Sequence, residues 1–106
     1  MAWVLLVAAG ILEIVWAAAL KQSDGLTRLA PSLLAAAALL GSLALLAQAL
    51  RILPLGVAYP IWTGIGALGA VLAGMTLAGE APSLLRGLAA GLILAGVALM
   101  KASAGP

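Results

Sequence analysis

Four apolar stretches, each close to the length of a bilayer crossing and separated only by short polar turns, constrain this chain more than anything else in it. The first runs from about Ala2 to Leu20 and stops at Lys21-Gln22-Ser23-Asp24-Gly25. The second runs from about Pro31 to Leu50 and stops at Arg51 and the Leu53-Pro54-Leu55-Gly56 turn. The third covers about Val57 to Ala78, ahead of Gly79-Glu80-Ala81-Pro82, and the fourth about Leu84 to Ala102. A hydrocarbon core of about 30 Å needs roughly 20 helical residues at about 1.5 Å each. Backbone groups find no water in lipid and must bond within their own segment, so spans of this kind are helices. The expected fold is all-α and integral to the membrane: one four-helix transmembrane domain over residues 1–106. Its loops are short enough to force neighbouring helices antiparallel.

Composition removes most other classes. The chain is 66% hydrophobic and 8% charged, with a mean hydropathy of +1.30, whereas soluble domains are about 25% charged. It has no Cys and no His, which excludes disulfides, thiolate metal sites, imidazole ligands and His-based catalysis. No cofactor is expected. The five cations are scattered singly, so there is no basic face for nucleic acid. The N-terminus lacks the positive segment and cleavage site of a signal peptide, and Met1-Ala2-Trp3 enters the apolar run directly. That run is read as the first membrane helix.

The charges give little direction. One end of the bundle, with both termini and the second loop, holds Arg51 and Lys101. The other, with loops one and three, holds Lys21, Arg28 and Arg86. Orientation normally follows a Lys/Arg bias. A difference of two cations against three leaves two outcomes open: one fixed orientation, or a population inserted both ways up.

Of the eight charged residues (five basic, three acidic), only Glu13 lies deep within a span. A carboxylate there is expensive to keep and marks a functional position by default. The bland alternative is a protonated Glu serving as interhelical glue. In the functional reading, Glu13 carries a proton or a cation in alternation. Ala9, Gly10, Trp16 and Ala17 share its helical face at spacings of three and four. The small residues allow close packing or close approach of a ligand. Trp16 offers an indole N–H well away from the interfacial belt where Trp3 belongs.

Tyr59 and Trp62 lie three apart on the third span, with Gly66 a turn further on. Such a pair suits a cation held against ring faces, or an interfacial belt in the case of Tyr59. Ser42 is the hydroxyl inside the second span. It either bonds its own i−4 carbonyl, the common fate of a helical Ser, or orients Glu13 from a neighbouring helix. Gly64, Gly66, Gly69 and Gly74 mark the third span as closely packed or bent. Gly87-x-x-x-Gly91, with Ala89 and Gly96, gives the fourth span a small-residue face suited to a second copy. A single copy supplies one carboxylate, and two copies inserted oppositely resemble an inverted repeat built from separate chains.

The run Gly10-Ile11-Leu12-Glu13 to Trp16-Ala17, continued by Leu20-Lys21-x-Ser23-x-Gly25-Leu26-Thr27-Arg28-Leu29-x-Pro31-Ser32, resembles the small multidrug resistance family. So does Leu53-Pro54-Leu55-Gly56-Val57-Ala58-Tyr59-x-Ile61-Trp62-Thr63-Gly64-Ile65-Gly66-Ala67-Leu68-Gly69-Ala70. The likeness covers almost the whole chain. Trp16 three residues after Glu13, with Ser42 in the second span, is closer to the guanidinium-exporter subtype than to the polyaromatic-cation subtype. The resemblance implies an antiparallel, dual-topology homodimer in the inner (cytoplasmic) membrane that exchanges protons for guanidinium ions. It also implies that Glu13 binds substrate and protons alternately, that Trp16, Ser42, Tyr59 and Trp62 line the site, and that Gly10 packs under it. Pro60 departs from the family, which usually has Ala there. Within the first turn of the third span its missing N–H leaves little effect.

Three other readings stand beside a proton-coupled guanidinium exporter. One is an exporter of bulky quaternary ammonium or polyaromatic cations. Another is a non-transporting accessory subunit in which Glu13 pairs with a partner's cation. An enzyme is the weakest, because one buried acid without metal ligands, a nucleophile–base pair or a phosphate loop gives no reaction to write.

Overall fold

The computed structural model describes residues 1–77 and 79–104. Ala78, where the third span was expected to end, and the last two positions of the 1–106 domain lie outside them. Four helices account for nearly all of the described chain: α1 (Ala2–Gln22), α2 (Leu29–Leu50), α3 (Leu55–Thr76) and α4 (Leu84–Ser103). Each is long and apolar enough to cross a membrane. A helix the length of α2 or α3 extends about 33 Å at about 1.5 Å per residue, matching a hydrocarbon core.

Local chemistry sets the ends. Loop one turns through left-handed backbone at Asp24, Gly25 and Leu26, with φ of 51°, 72° and 68°. Buried Ser23 holds it there: its hydroxyl donates to the Leu20 carbonyl at 2.6 Å and accepts the Leu26 N–H at 3.0 Å. Pro54, extended at φ −65° and ψ 148°, caps α3. That start lies two residues before the expected one and changes the standing of Pro60. As the sixth residue of α3, Pro60 sits in the second turn, where a residue with an N–H would bond the Gly56 carbonyl. Its effect on the helix is therefore larger than a first-turn placement implies. At α4 the Ser83 hydroxyl accepts the Arg86 N–H at 3.0 Å, a conventional N-cap.

Helix α1 packs on both α2 and α3, α2 touches α3, and α4 packs on α3. Lys101 of α4 also reaches the Trp3 ring of α1, 5.5 Å from its centroid. The buried core is Leu6, Ala9, Leu46, Ala49, Ala58, Ile61 and Trp62. Glycines set how closely the helices approach. A methyl at Gly10 would lie 2.6 Å from Ile65 Cγ2, and one at Gly69 would overlap Ile14. The assembly is a slab only 16 Å thick in its shortest direction. Helix α4 buries no residue, and Leu84, Leu85, Leu88, Leu92, Leu94 and Leu99 are exposed along it. An apolar helix this open suits lipid or another apolar surface rather than water.

Candidate functional site

Glu13 falls near the middle of α1 and is half-buried. Trp16, one turn on, donates its indole N–H to Glu13 Oε1. The i, i+3 spacing places the two side chains on one face, and helical side chains lean toward the N-terminus, which brings the Trp16 ring over Glu13. Gly66 of α3 lies directly against the Glu13 stem. A methyl there would overlap Glu13 Cγ and stand 3.2 Å from its Cβ. The carboxylate is thus positioned by an indole from its own helix and by a missing side chain on the facing one.

Ser42 is fully buried and joins three helices. Its hydroxyl donates to the Ala9 carbonyl of α1 at 2.7 Å and accepts the Trp62 Nε1–H of α3 at 2.9 Å. The hydroxyl bonds the Ala9 backbone of α1 rather than its own i−4 carbonyl, and it makes no direct bond to Glu13. The single hydroxyl proton is committed to Ala9, so Ser42 does not donate to the carboxylate here. It acts one turn below. The Ala9 carbonyl is also the i−4 acceptor for the Glu13 N–H in a regular helix, so Ser42 braces the turn that carries Glu13.

Trp62 is buried, and Tyr59, 49% exposed, lies beside it with ring centroids 5.4 Å apart and planes tilted by 58°. The Trp62 N–H is spent on Ser42, which leaves its ring rather than its donor for other work. The residues singled out from sequence therefore fall into two linked groups. Glu13 and Trp16 sit on Gly66, while Ser42, Trp62 and Tyr59 form a run that meets α1 at Ala9. Gly10 is buried against Ile65, so the glycine under the carboxylate is Gly66. Sequence reasoning assigned no role to the Ala9 carbonyl, and nothing in a sequence marks a backbone acceptor.

The whole chain has close relatives. The family described as Small Multidrug Resistance protein matches residues 1–94. A protein of Citrobacter freundii named guanidinium exporter is 50% identical over 103 residues, covering 97% of this chain and 98% of its own. One from Yersinia pestis with the same name is 52% identical over 101 residues, 95% of this chain and 97% of its own. A third, from Salmonella typhimurium strain LT2, is 50% identical over 104 residues, 98% of this chain and 99% of its own. Identity at this level over at least 95% of the chain leaves no room for a different fold, and the chain belongs to the small multidrug resistance family of multi-pass membrane proteins.

Proposed function

We propose that this protein is a proton-coupled antiporter of the inner (cytoplasmic) membrane that exports guanidinium and small guanidinylated cations. The observation that carries the proposal is Glu13: the one acid inside an apolar span, half-buried, seated on Gly66 and oriented by Trp16. Relatives named guanidinium exporter at about half identity support the substrate class.

The chemistry follows from the groups present. A carboxylate presents acceptor oxygens only, and guanidinium presents N–H donors in one plane, suited to forked bonds. Protonation turns the carboxyl neutral and releases the cation, so proton and substrate use Glu13 alternately. Trp16 holds the carboxylate, Ser42 and Trp62 stiffen the α1–α2–α3 junction beside it, and the Tyr59 and Trp62 rings supply faces for a flat cation. Gly10 lets α3 come close enough for this arrangement.

One chain leaves the site open on one side, since the slab is thin and α4 buries nothing. The working unit in this proposal is an antiparallel homodimer with two Glu13 carboxylates facing a shared cavity. Near-balanced loop charges, two cations against three, fit a chain that inserts in both orientations.

The test is electrogenic transport in proteoliposomes, comparing guanidinium with tetramethylammonium and a larger quaternary cation at equal concentration. Guanidinium is expected to give the largest current. A quaternary ion has no donors and leaves the acceptors unmatched, at about 1–3 kcal/mol for each buried polar group left unpaired. Equal or larger currents for the quaternary cations would make the protein an exporter of that class. No coupled flux of any cation would leave an accessory subunit.

A further inference from the structure

At the end of the bundle that carries loops one and three, a cavity of about 410 Å³ opens between the last turns of α1 and α3. Ala17 and Lys21 on one side, Ala70 and Gly74 on the other, and Leu77 and Glu80 beyond them form its wall. Ala17 is one turn from Glu13 on the same face of α1. Ala70 is one turn from Gly66, on which Glu13 rests. The cavity therefore lies one turn along the α1/α3 seam from half-buried Glu13.

Glu80 is fixed in place there. Its backbone N–H donates to the Gly74 carbonyl at 3.0 Å. Its carboxylate lies so close that a methyl at Gly74 would be 2.7 Å from Oε1. Arg86 of α4 donates from Nη1 to the same oxygen at 3.2 Å. The carboxylate of this cavity is thus occupied by a guanidinium group belonging to the protein. Both side chains are about half exposed, 54% for Arg86 and 47% for Glu80, and a pair this open to water contributes little stability and exchanges readily.

We propose, resting on the exporter reading above, that Glu80 is an outer cation-binding carboxylate at which an incoming guanidinium displaces Arg86 before moving along the α1/α3 seam to Glu13. The exchange is chemically even. One guanidinium replaces another on the same oxygen, and Arg86 returns to water without stranding a charge. Lys21 on the opposite wall repels the bound cation, so the outer site holds it weakly enough to let it go, as a site on a conduction path must.

The acids of this chain number three: Glu13, Asp24 and Glu80. In the Glu13→Gln protein, labelled with carbon-13 at glutamate alone, the side-chain carboxyl signal therefore comes from Glu80 alone. The full chain in lipid nanodiscs is titrated with guanidinium chloride against sodium chloride at matched ionic strength. The resonance is expected to move saturably with guanidinium and at least severalfold less with sodium. Arg86→Gln is expected to lower the half-saturating guanidinium concentration about three- to tenfold. If Glu13→Gln does not fold, the wild type serves, following the resonance that Glu80→Gln removes. An equal response to sodium, or a half-saturation that Arg86→Gln does not change, overturns the outer site. In transport, Glu80→Gln is expected to raise the half-saturating guanidinium concentration by a larger factor than it changes the maximal rate. A fall in maximal rate alone makes Glu80 a structural loop residue and overturns the proposal. A wild type without guanidinium-driven proton flux sinks the exporter reading, whereas a transporting wild type whose Glu80 ignores guanidinium sinks only the outer site.

Discussion

Gly66→Ala tests whether the position of Glu13, rather than its mere presence, governs transport. Gly66 is buried, and the added methyl would overlap Glu13 Cγ while standing 3.2 Å from its Cβ and 3.5 Å from its Cδ. Two of these atoms belong to the stem rather than the free end of the side chain, so Glu13 has to change rotamer or α3 has to move away. Overpacking of this kind costs about 1–3 kcal/mol. Against it, replacing Gly by Ala inside a helix returns about 0.5–1 kcal/mol. The net loss of about 0–2.5 kcal/mol leaves the fold intact. Function is the more sensitive quantity, because a displacement of about 1 Å at a reacting group lowers rates about 100-fold.

The expected outcome is a cooperatively melting protein whose Tm in detergent falls by no more than about 20 °C, guanidinium-driven proton flux reduced about 100-fold, and a shifted Trp16 indole resonance as its bond to Glu13 breaks. Gly56→Ala is the control, since a methyl there meets nothing within 4 Å, and it should transport as wild type. Flux within threefold of wild type in Gly66→Ala, or an equal loss in Gly56→Ala, would refute the reasoning.

Glu13→Gln keeps the shape of the side chain and removes its titration; it is expected to fold and dimerise yet exchange nothing, and retained proton-coupled uptake in proteoliposomes would end the case for Glu13. Ser42→Ala leaves the buried Trp62 N–H without its 2.9 Å acceptor, so thermal stability should fall by about 1–3 kcal/mol, measured against Ser32→Ala, whose hydroxyl bonds only the Arg28 carbonyl of its own helix start. A reporter fused at the C-terminus should appear on both sides of the membrane, and two Lys inserted after Leu53 should drive it to one side; a wild type already on one side contradicts the antiparallel homodimer.

What could be read from sequence follows physical cost. Four helices were legible because lipid permits no other backbone for runs of this hydropathy. Glu13 was legible because an unpaired acid in such a run is costly, and Trp16 because i, i+3 neighbours meet regardless of tertiary packing. The start of α3 was not. Pro54 reads equally well as a turn residue or a cap, and only the extended conformation at its ψ of 148° decides for Leu55 as the first helical residue. Pro60 then moves from the first turn to the second. Ser42 was ambiguous for a related reason. A bond to Ala9 rather than to its own helix requires α1 to bring that carbonyl against Ser42, which is a matter of helix packing and not of any local pattern.

The glycines of α3 carried the most hidden information. In sequence, Gly64, Gly66, Gly69 and Gly74 are interchangeable small residues in an apolar helix. In the fold each admits a different neighbour. Gly64 receives Val97 of α4, Gly66 the stem of Glu13, Gly69 the side chain of Ile14, and Gly74 the carboxylate of Glu80. Gly66 and Gly74 are an i, i+8 pair with Ala70 between them, a stripe that rises about 12 Å at about 1.5 Å per residue. Both carboxylates described above, one deep and one at the mouth, lie along that stripe. A larger residue at either glycine would push its acid away from the seam. The third helix thus positions two charged groups with no polar side chain of its own at those points, by leaving room. Such a role is invisible to composition and periodicity, and it becomes readable once the facing residues are known.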